Sequence, residues 1–482
     1  MIRKLSFAMV PLLLPALLGA CSMAPDYQRP ITALPATFKE QPGWATAAPT
    51  DGVAKGEWWL LFDDPVLDAL ERQVAVSNQS LAASAAAYRQ ATAAVRESRA
   101  GLFPSLRASG KAARSESFDG ASSGVGLGGS GLAQRGTTYS LALEATWQPD
   151  LWGQLGNAVS QGRANAEASK ADLANATLAA QGELAGSYLQ LRGLDAQKAL
   201  LDCTVTAYER ALAITRNRLR EGVVMRSDVL QAETQLRDAQ AQAADLVRQR
   251  ATYEHAIALL VGGNPSSFAI APESWREGVP AVPATLPGAL VQRRPDVAAA
   301  ERRVAAANAA IGIQRAGFFP GISLTGSAST AGSSLGALFD APTSLWSLGA
   351  GVAQTVFDFG ATSARVEQAR AAYDQAVASY RQTVLTAFQQ TEDGLVGVRV
   401  LAEVAQDRAA AAKSASEAEA IAMRRYLEGE TDYLAVVTAQ ATALGAAQAR
   451  VQAVTNRQVA AVSLIQAIGG SWPDRPMPDR PM

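Results

Sequence analysis

A single histidine, His255, and two cysteines, Cys21 and Cys203, are all that 482 residues offer of the side chains that most often hold zinc or run hydrolytic triads. Neither a zinc cage nor a His-based triad can be assembled from them. A Gly-x-x-x-x-Gly-Lys-Ser/Thr phosphate loop and a strand-anchored dinucleotide motif are also missing, so ATP-driven or hydride chemistry has no visible seat. Charge of one sign is scarce as well: 43 Lys and Arg stand against 44 Asp and Glu, a net of −1 with no basic field for nucleic acid. These gaps predict no catalytic residues, no metal and no soluble cofactor. His255 lies in an apolar helical run with Tyr253, Ile257, Leu259 and Leu260 and reads as a packing residue.

The N-terminus says where the chain goes. Arg3 and Lys4 precede an apolar run, Leu5 to Leu18, which is too short for a membrane-spanning helix of about 20 residues. The run ends Leu18-Gly19-Ala20-Cys21, a lipobox, so residues 1–20 are expected to be a lipoprotein signal peptide and Cys21 the acylated mature N-terminus. Ser22, not an aspartate, follows it. Covalent lipid on Cys21 leaves Cys203 without a disulfide partner.

The rest of the chain is one design written twice. Arg99-Ala100-Gly101-Leu102-Phe103-Pro104 matches Arg315-Ala316-Gly317-Phe318-Phe319-Pro320, 216 residues on. Asp150-Leu151-Trp152-Gly153 matches Asp358-Phe359-Gly360, Glu221-Gly222 matches Glu428-Gly429, and Gly262-Gly263 matches Gly469-Gly470, at spacings near 207. The same order of landmarks marks a tandem repeat, 65–264 and 287–472, joined by a linker over 265–286. Residues 21–64 form an N-terminal lipidated segment. The tail, 473–482, repeats Pro-Asp-Arg-Pro-Met and reads as disordered.

Proline is absent between Pro149 and Pro265 and between Pro342 and Pro473, where Ala, Gln, Glu, Arg and Leu dominate. Long helices are predicted over 154–220 and 361–427, each 67 residues, or about 100 Å at 1.5 Å per residue. Of the 60 residues from Ala361 to Ala420, 17 are Ala, small enough for close helix approach, while larger apolar residues recur at threes and fours. Each rod turns at Gly222 or Gly429 into a return helix, 228–260 or 432–468, with Asp432 as the N-cap of the second.

At the other end of each rod the period changes to two. Tyr139, Leu141, Leu143, Ala145 and Trp147 alternate with Ser140, Ala142, Glu144 and Thr146. Ile322, Leu324, Gly326 and Ala328 alternate with serines and a threonine, and Trp346, Leu348, Ala350 and Val352 oppose Ser347, Gly349, Gly351 and Ala353. Strands are therefore predicted at 106–114, 138–147, 322–329 and 345–357, with Gly/Ser-rich connectors between the members of each pair. Four strands cannot close a transmembrane barrel, because open edges in lipid leave backbone groups unpaired, and the smallest closed barrels have eight. The chain must oligomerise through them, and three protomers would supply twelve strands and twelve helical columns.

Arg293-Arg294-Pro295-Asp296-Val297, then Ala300-Glu301, Ala307-Asn308-Ala309, Ile311-Gly312 and Phe319-Pro320, together with Trp58-Trp59, Phe62, Asp64-Pro65 and Leu67, carry a resemblance. The chain resembles the outer-membrane efflux ducts of the TolC/OprM-like family, in the lipoprotein branch typified by NodT, over essentially the whole mature length. The resemblance implies a mainly α fold with membrane β. It implies a homotrimeric channel-tunnel with a 12-stranded barrel in outer-membrane lipid and a 12-helix barrel across the periplasm. It implies as partners a periplasmic adaptor and an inner-membrane pump of the resistance-nodulation-division type. Pro295-Asp296 itself reads as a helix start rather than a catalytic signature, and Trp58 and Trp59 as packing anchors.

By the same resemblance a gate lies at the periplasmic helix tips. Asp228 and Tyr426 match the family's constraining hydrogen-bond pair, and Arg425 and Leu434 match positions that line or lock the constriction. Thr431 and Thr438 depart from the pattern, standing where some members carry an Arg and an Asp. The competing reading, a periplasmic adaptor or structural coiled-coil lipoprotein without a pore, predicts one hairpin and no paired amphipathic strands.

Overall fold

The computed structural model describes residues 22–31, 37–40, 57–115, 136–280, 282, 294–339 and 344–470. The expected signal peptide, Cys21, Arg293, most of the connector between the first two strands and the tail lie outside these residues. Each repeat has the order helix, strand, strand, long helix, return helix, and among the described residues the first has one more short helix ahead of these. The first repeat contains α1 (Pro65–Ser77), α2 (Gln79–Ala100), β1 (Ser105–Ser115), β2 (Gly136–Trp147), α3 (Gln154–Arg220) and α4 (Arg226–Leu260). The second contains α5 (Pro295–Ala316), β3 (Gly321–Gly332), β4 (Ser344–Ala353), α6 (Ala361–Leu427) and α7 (Tyr433–Ala467).

The landmarks shared by the repeats are structural stops. After α2 the amides of Leu102 and Phe103 close turns onto Arg99 and Ala100, and after α5 those of Phe318 and Phe319 do the same onto Arg315 and Ala316. Proline then ends the turn and a strand begins. Asp150 caps the rod α3 by accepting from the amides of Leu155 (3.1 Å) and Gly156 (2.6 Å), while Asp358 caps α6 through Gly360 (3.0 Å) and Thr362 (2.7 Å). A carboxylate at a helix N-terminus satisfies orphan N–H groups and complements the macrodipole. The Thr362 hydroxyl and amide hold the Asp358 carboxyl below its usual range.

The four strands form one antiparallel sheet in the order β1-β2-β3-β4. Their register collects the alternating apolar residues on one face: Leu106 opposite Ala145, Ala108 opposite Leu143, Leu143 opposite Ala328 and Ala328 opposite Trp346. The other face carries Arg107 opposite Glu144, Thr146 opposite Thr325, and Ser327 opposite Ser347 with their hydroxyls 2.9 Å apart. β4 ends at Ala353 rather than at 357. Its partner begins at Gly321, paired with Ala353, and Pro320 before it has no N–H to extend the ladder.

The chain divides into two units. One comprises Met1–Pro30, Arg89–Glu167 and Glu301–Ala378 and contains the sheet. The other comprises Ile31–Tyr88, Ala168–Ala300 and Ser379–Met482 and contains both hairpin turns. In the second unit a buried ionic network ties residues 270–273 to the helices. Arg192 donates to Tyr188 Oη (2.9 Å), Asp195 (3.3 Å) and the Ala271 carbonyl (2.8 Å), and Arg250 donates to the other Asp195 oxygen (2.7 Å). Close approach of helices here depends on glycine: a Cβ on Gly193 of α3 would stand 2.5 Å from Thr455 Oγ1 of α7. Trp58 and Trp59 are buried and meet edge to face at 6.0 Å.

His255 departs from its sequence reading, being exposed on α4 while Ile257 and Ala258 are buried. Cys203 is a free, exposed thiol.

Candidate functional site

Three places carry the features expected to matter: the segment following Cys21, the sheet, and the hairpin tips. Residues 22–27 are strapped along α5 by the residues of the motif that opens the second repeat. Glu301 accepts a short hydrogen bond from the Tyr27 hydroxyl, Asn308 Nδ2 donates to the Pro25 carbonyl (2.8 Å), and Arg315 donates to the Met23 carbonyl (3.4 Å). Gly312 leaves room for Ala24, which would lie 2.7 Å from an added Cβ. Ser22 Oγ donates to Asn157 at the start of α3 (2.9 Å), which fixes the position next to Cys21. Arg294 is buried and spent on structure, bidentate to Asp296 (3.0 and 2.6 Å) and donating to the Ala467 carbonyl (3.0 Å). Pro295 and Asp296 do open a helix.

The sheet leaves large apolar side chains uncovered within one protomer: Leu106, Trp346, Leu348 and Val352 are all more than two-thirds exposed. β1 and β4 are edge strands. Among the described residues no helix is long and apolar enough to cross a membrane.

Both hairpin tips are built on the same turn. The amides of Gly222 and Val223 return to the carbonyls of Leu219 (3.0 Å) and Arg218 (2.9 Å), and those of Gly429 and Glu430 return to Tyr426 (3.1 Å) and Arg425 (2.9 Å). This is the Schellman pattern, and it puts Gly222 and Gly429 at φ of +76° and +80°, which a side chain disfavours. The return helices are capped differently. Asp432 is the N-cap of α7 and accepts from the Ala435 amide (3.1 Å). At the start of α4 the carboxylate comes three residues later: Asp228 accepts from the Met225 amide (3.3 Å) and from Ser227 Oγ (3.2 Å).

The structure does not join Asp228 to Tyr426. The Tyr426 hydroxyl is buried without a partner, while its ring packs on Tyr433 (5.3 Å, 59°) and beneath the Arg218 guanidinium (4.9 Å). Burial, with Tyr426 and then Asp228 nearby, pushes the Tyr433 phenol up from its usual value. Burial also pushes Tyr208 up to about 12, helped by Glu419 and then Tyr433. Arg425 is exposed and pairs with Glu430 of its own turn (3.2 Å). Leu434 is about half exposed. Thr438 donates to the Leu434 carbonyl (2.9 Å), an ordinary intrahelical bond. Sequence reasoning overlooked Arg218, and its one available signal was equivalence to Arg425, 207 residues on.

A family model described as outer membrane efflux protein matches residues 70–263 and 286–470. The chain belongs to this family. It is 31% identical to the outer membrane protein OprJ of Pseudomonas aeruginosa over 98% of this chain and 97% of the relative. It is 30% identical to the toluene efflux pump outer membrane protein TtgC of Pseudomonas putida over 95% and 94%. Among solved structures, the outer-membrane channel OprN superposes with a TM-score of 0.84 at 28% identity, over 94% of this chain and all of that one. The protein is an outer-membrane efflux duct with the tunnel fold. The two hairpins and four paired strands are those of the duct and not of a single-hairpin adaptor.

Proposed function

We propose that three copies of this chain close a 12-stranded barrel and form the passive exit duct of a tripartite pump. The duct receives its cargo from a periplasmic adaptor and an inner-membrane pump of the resistance-nodulation-division type. The observation that carries this is the sheet: it has one continuous apolar face and two unpaired edges, which lipid cannot tolerate unless further copies pair them. In the same reading Cys21, which precedes Ser22 in the sequence, carries the lipid. The hairpin tips at Gly222 and Gly429 are the regulated constriction, with Asp228, Arg425, Tyr426 and Leu434 around it. The description of TtgC as a toluene efflux protein makes small apolar organic compounds the first cargo class to try.

Purified in detergent, the protein is expected to have the protein mass of three protomers and to conduct in planar bilayers. A stable monomer inserted in a bilayer overturns the reading. Deletion of the gene, followed by a susceptibility panel of drugs, dyes, solvents and metals, identifies the cargo.

A further inference from the structure

We propose that the two hairpins of a protomer are clipped together at the tip by a stack of Arg218, Tyr426 and Tyr433, and that Arg218 is the residue positioning this clip. In this chain the clip takes the place of a hydrogen bond from the Tyr426 hydroxyl. The inference rests on the reading of the tips as the constriction.

The stack crosses between the hairpins. Arg218 lies in the last turn of α3 in the first repeat, whereas Tyr426 and Tyr433 flank the turn of the second. Both tyrosines are buried, at 6% and 4% exposure, in a cluster that includes Tyr208, Leu212, Val229 and Val436. The guanidinium carbon sits 4.9 Å from the Tyr426 centroid, within cation–π range, and its Nη1 is buried without a hydrogen-bond partner, so the contact Arg218 makes through that end is with the ring.

The hydroxyl of Tyr426 cannot hold the hairpins, because it too is buried and unpartnered. The residue expected to accept from it, Asp228, is committed to the first turn of its own helix. Arg425 does not bridge either, since its ion pair with Glu430 is five residues long and exposed.

The duplication explains how the clip arose from a symmetric scaffold. Arg218 and Arg425 occupy the same place in the Schellman turn, 207 residues apart. The position matching Tyr426 in the first hairpin is Leu219, and that matching Tyr433 is Arg226. Only the second hairpin offers rings at these two positions, so one arginine turns inward onto them and its twin turns out to Glu430.

The test is single-channel conductance of the purified full-length protein in planar bilayers, with assembly checked by particle mass. Arg218→Met and Tyr426→Leu are each expected to shift the closed-to-open balance by roughly two- to thirtyfold per protomer, the range of a cation–π contact converted at tenfold per 1.4 kcal/mol. Combining them should add little to either. Tyr426→Phe keeps the ring and removes a buried hydroxyl, so it should hold the tip closed at least as tightly as the parent protein does. If Arg218→Met does not assemble, Arg218→Lys keeps the charge but loses the planar stack and should lie between parent and Tyr426→Leu. Opening by Tyr426→Phe as large as by Tyr426→Leu overturns the clip in favour of a hydroxyl bond. A parent-like Arg218→Met, or parent-like Arg218→Lys where that stands in for it, also overturns the clip. If neither parent nor any variant conducts, the duct reading falls, and the clip with it.

Discussion

Glu71 has no exposed surface and neither carboxyl oxygen finds a hydrogen-bond partner. Burial alone pushes its carboxyl up to about 9 from 4.5. The folded state therefore holds the proton more tightly than the unfolded chain, so the contribution of Glu71 to stability is fully present below about pH 4.5, falls as pH rises from there to about 9, and is lost above. Glu71→Gln should flatten that slope, and Glu71→Leu should raise the unfolding temperature more at pH 8 than at pH 5; equal gains at both pH values contradict the assignment. Asp195 is the opposite case. It is buried and shared by Arg192 and Arg250, and Asp195→Ala leaves those two cations with Glu273 and Glu254 as their carboxylate partners. Its removal should destabilise the fold by less than the about 3–5 kcal/mol of leaving a buried charge unpaired, read by denaturant unfolding of the solubilised protein. His255 shows why single residues read poorly from sequence. A short apolar run says that a helix has a buried side but not which of its neighbours faces out, and on α4 that neighbour is His255.

At the scale of elements the rods were plain in the sequence. Proline-free, Ala-rich intervals bounded by an Asp turn and a Glu-Gly pair predict helices at 154–220 and 361–427, and α3 and α6 span Gln154–Arg220 and Ala361–Leu427. The duplication made this possible, since each landmark is seen twice and each is a cap or a turn with a local physical cause. What depends on distant partners was not legible. The strap pairs residues 135 to 292 positions apart, so its grip by Glu301, Asn308 and Gly312 leaves no local periodicity to find. The end of β4 was overrun because alternation continues past the point where Pro320 stops the partner strand. Asp432 is legible and testable: Asp432→Ala removes the bond to the Ala435 amide and should destabilise the start of α7 by about 0.5–2 kcal/mol. Faster hydrogen exchange confined to the first turn of α7 is the expected signature, and an unchanged rate there refutes the cap.

For the whole molecule the decisive question is which medium each face of the sheet meets after assembly. Ser347 and Leu348 are adjacent and both exposed in one protomer, yet they lie on opposite faces. In a closed barrel Ser347, beside Ser327 and near the Arg107 and Glu144 pair, faces a water-filled interior, while Leu348, in line with Leu324 and Trp346, faces acyl chains. Single cysteines placed at each position therefore separate barrel from soluble sheet. Cys203 is free and exposed, so the substitutions belong in a Cys203→Ser background. Reconstituted in vesicles, Ser347→Cys should react with a membrane-impermeant maleimide and Leu348→Cys should resist it, the order reversing for a reagent dissolved in the bilayer. On the proposal that Cys21 is lipidated on its thiol, the background protein alone should not label; labelling there would mean that the lipobox is not processed. If Ser347→Cys and Leu348→Cys label equally with the water-soluble reagent in assembled protein, the sheet is wetted on both faces and does not line a transmembrane wall.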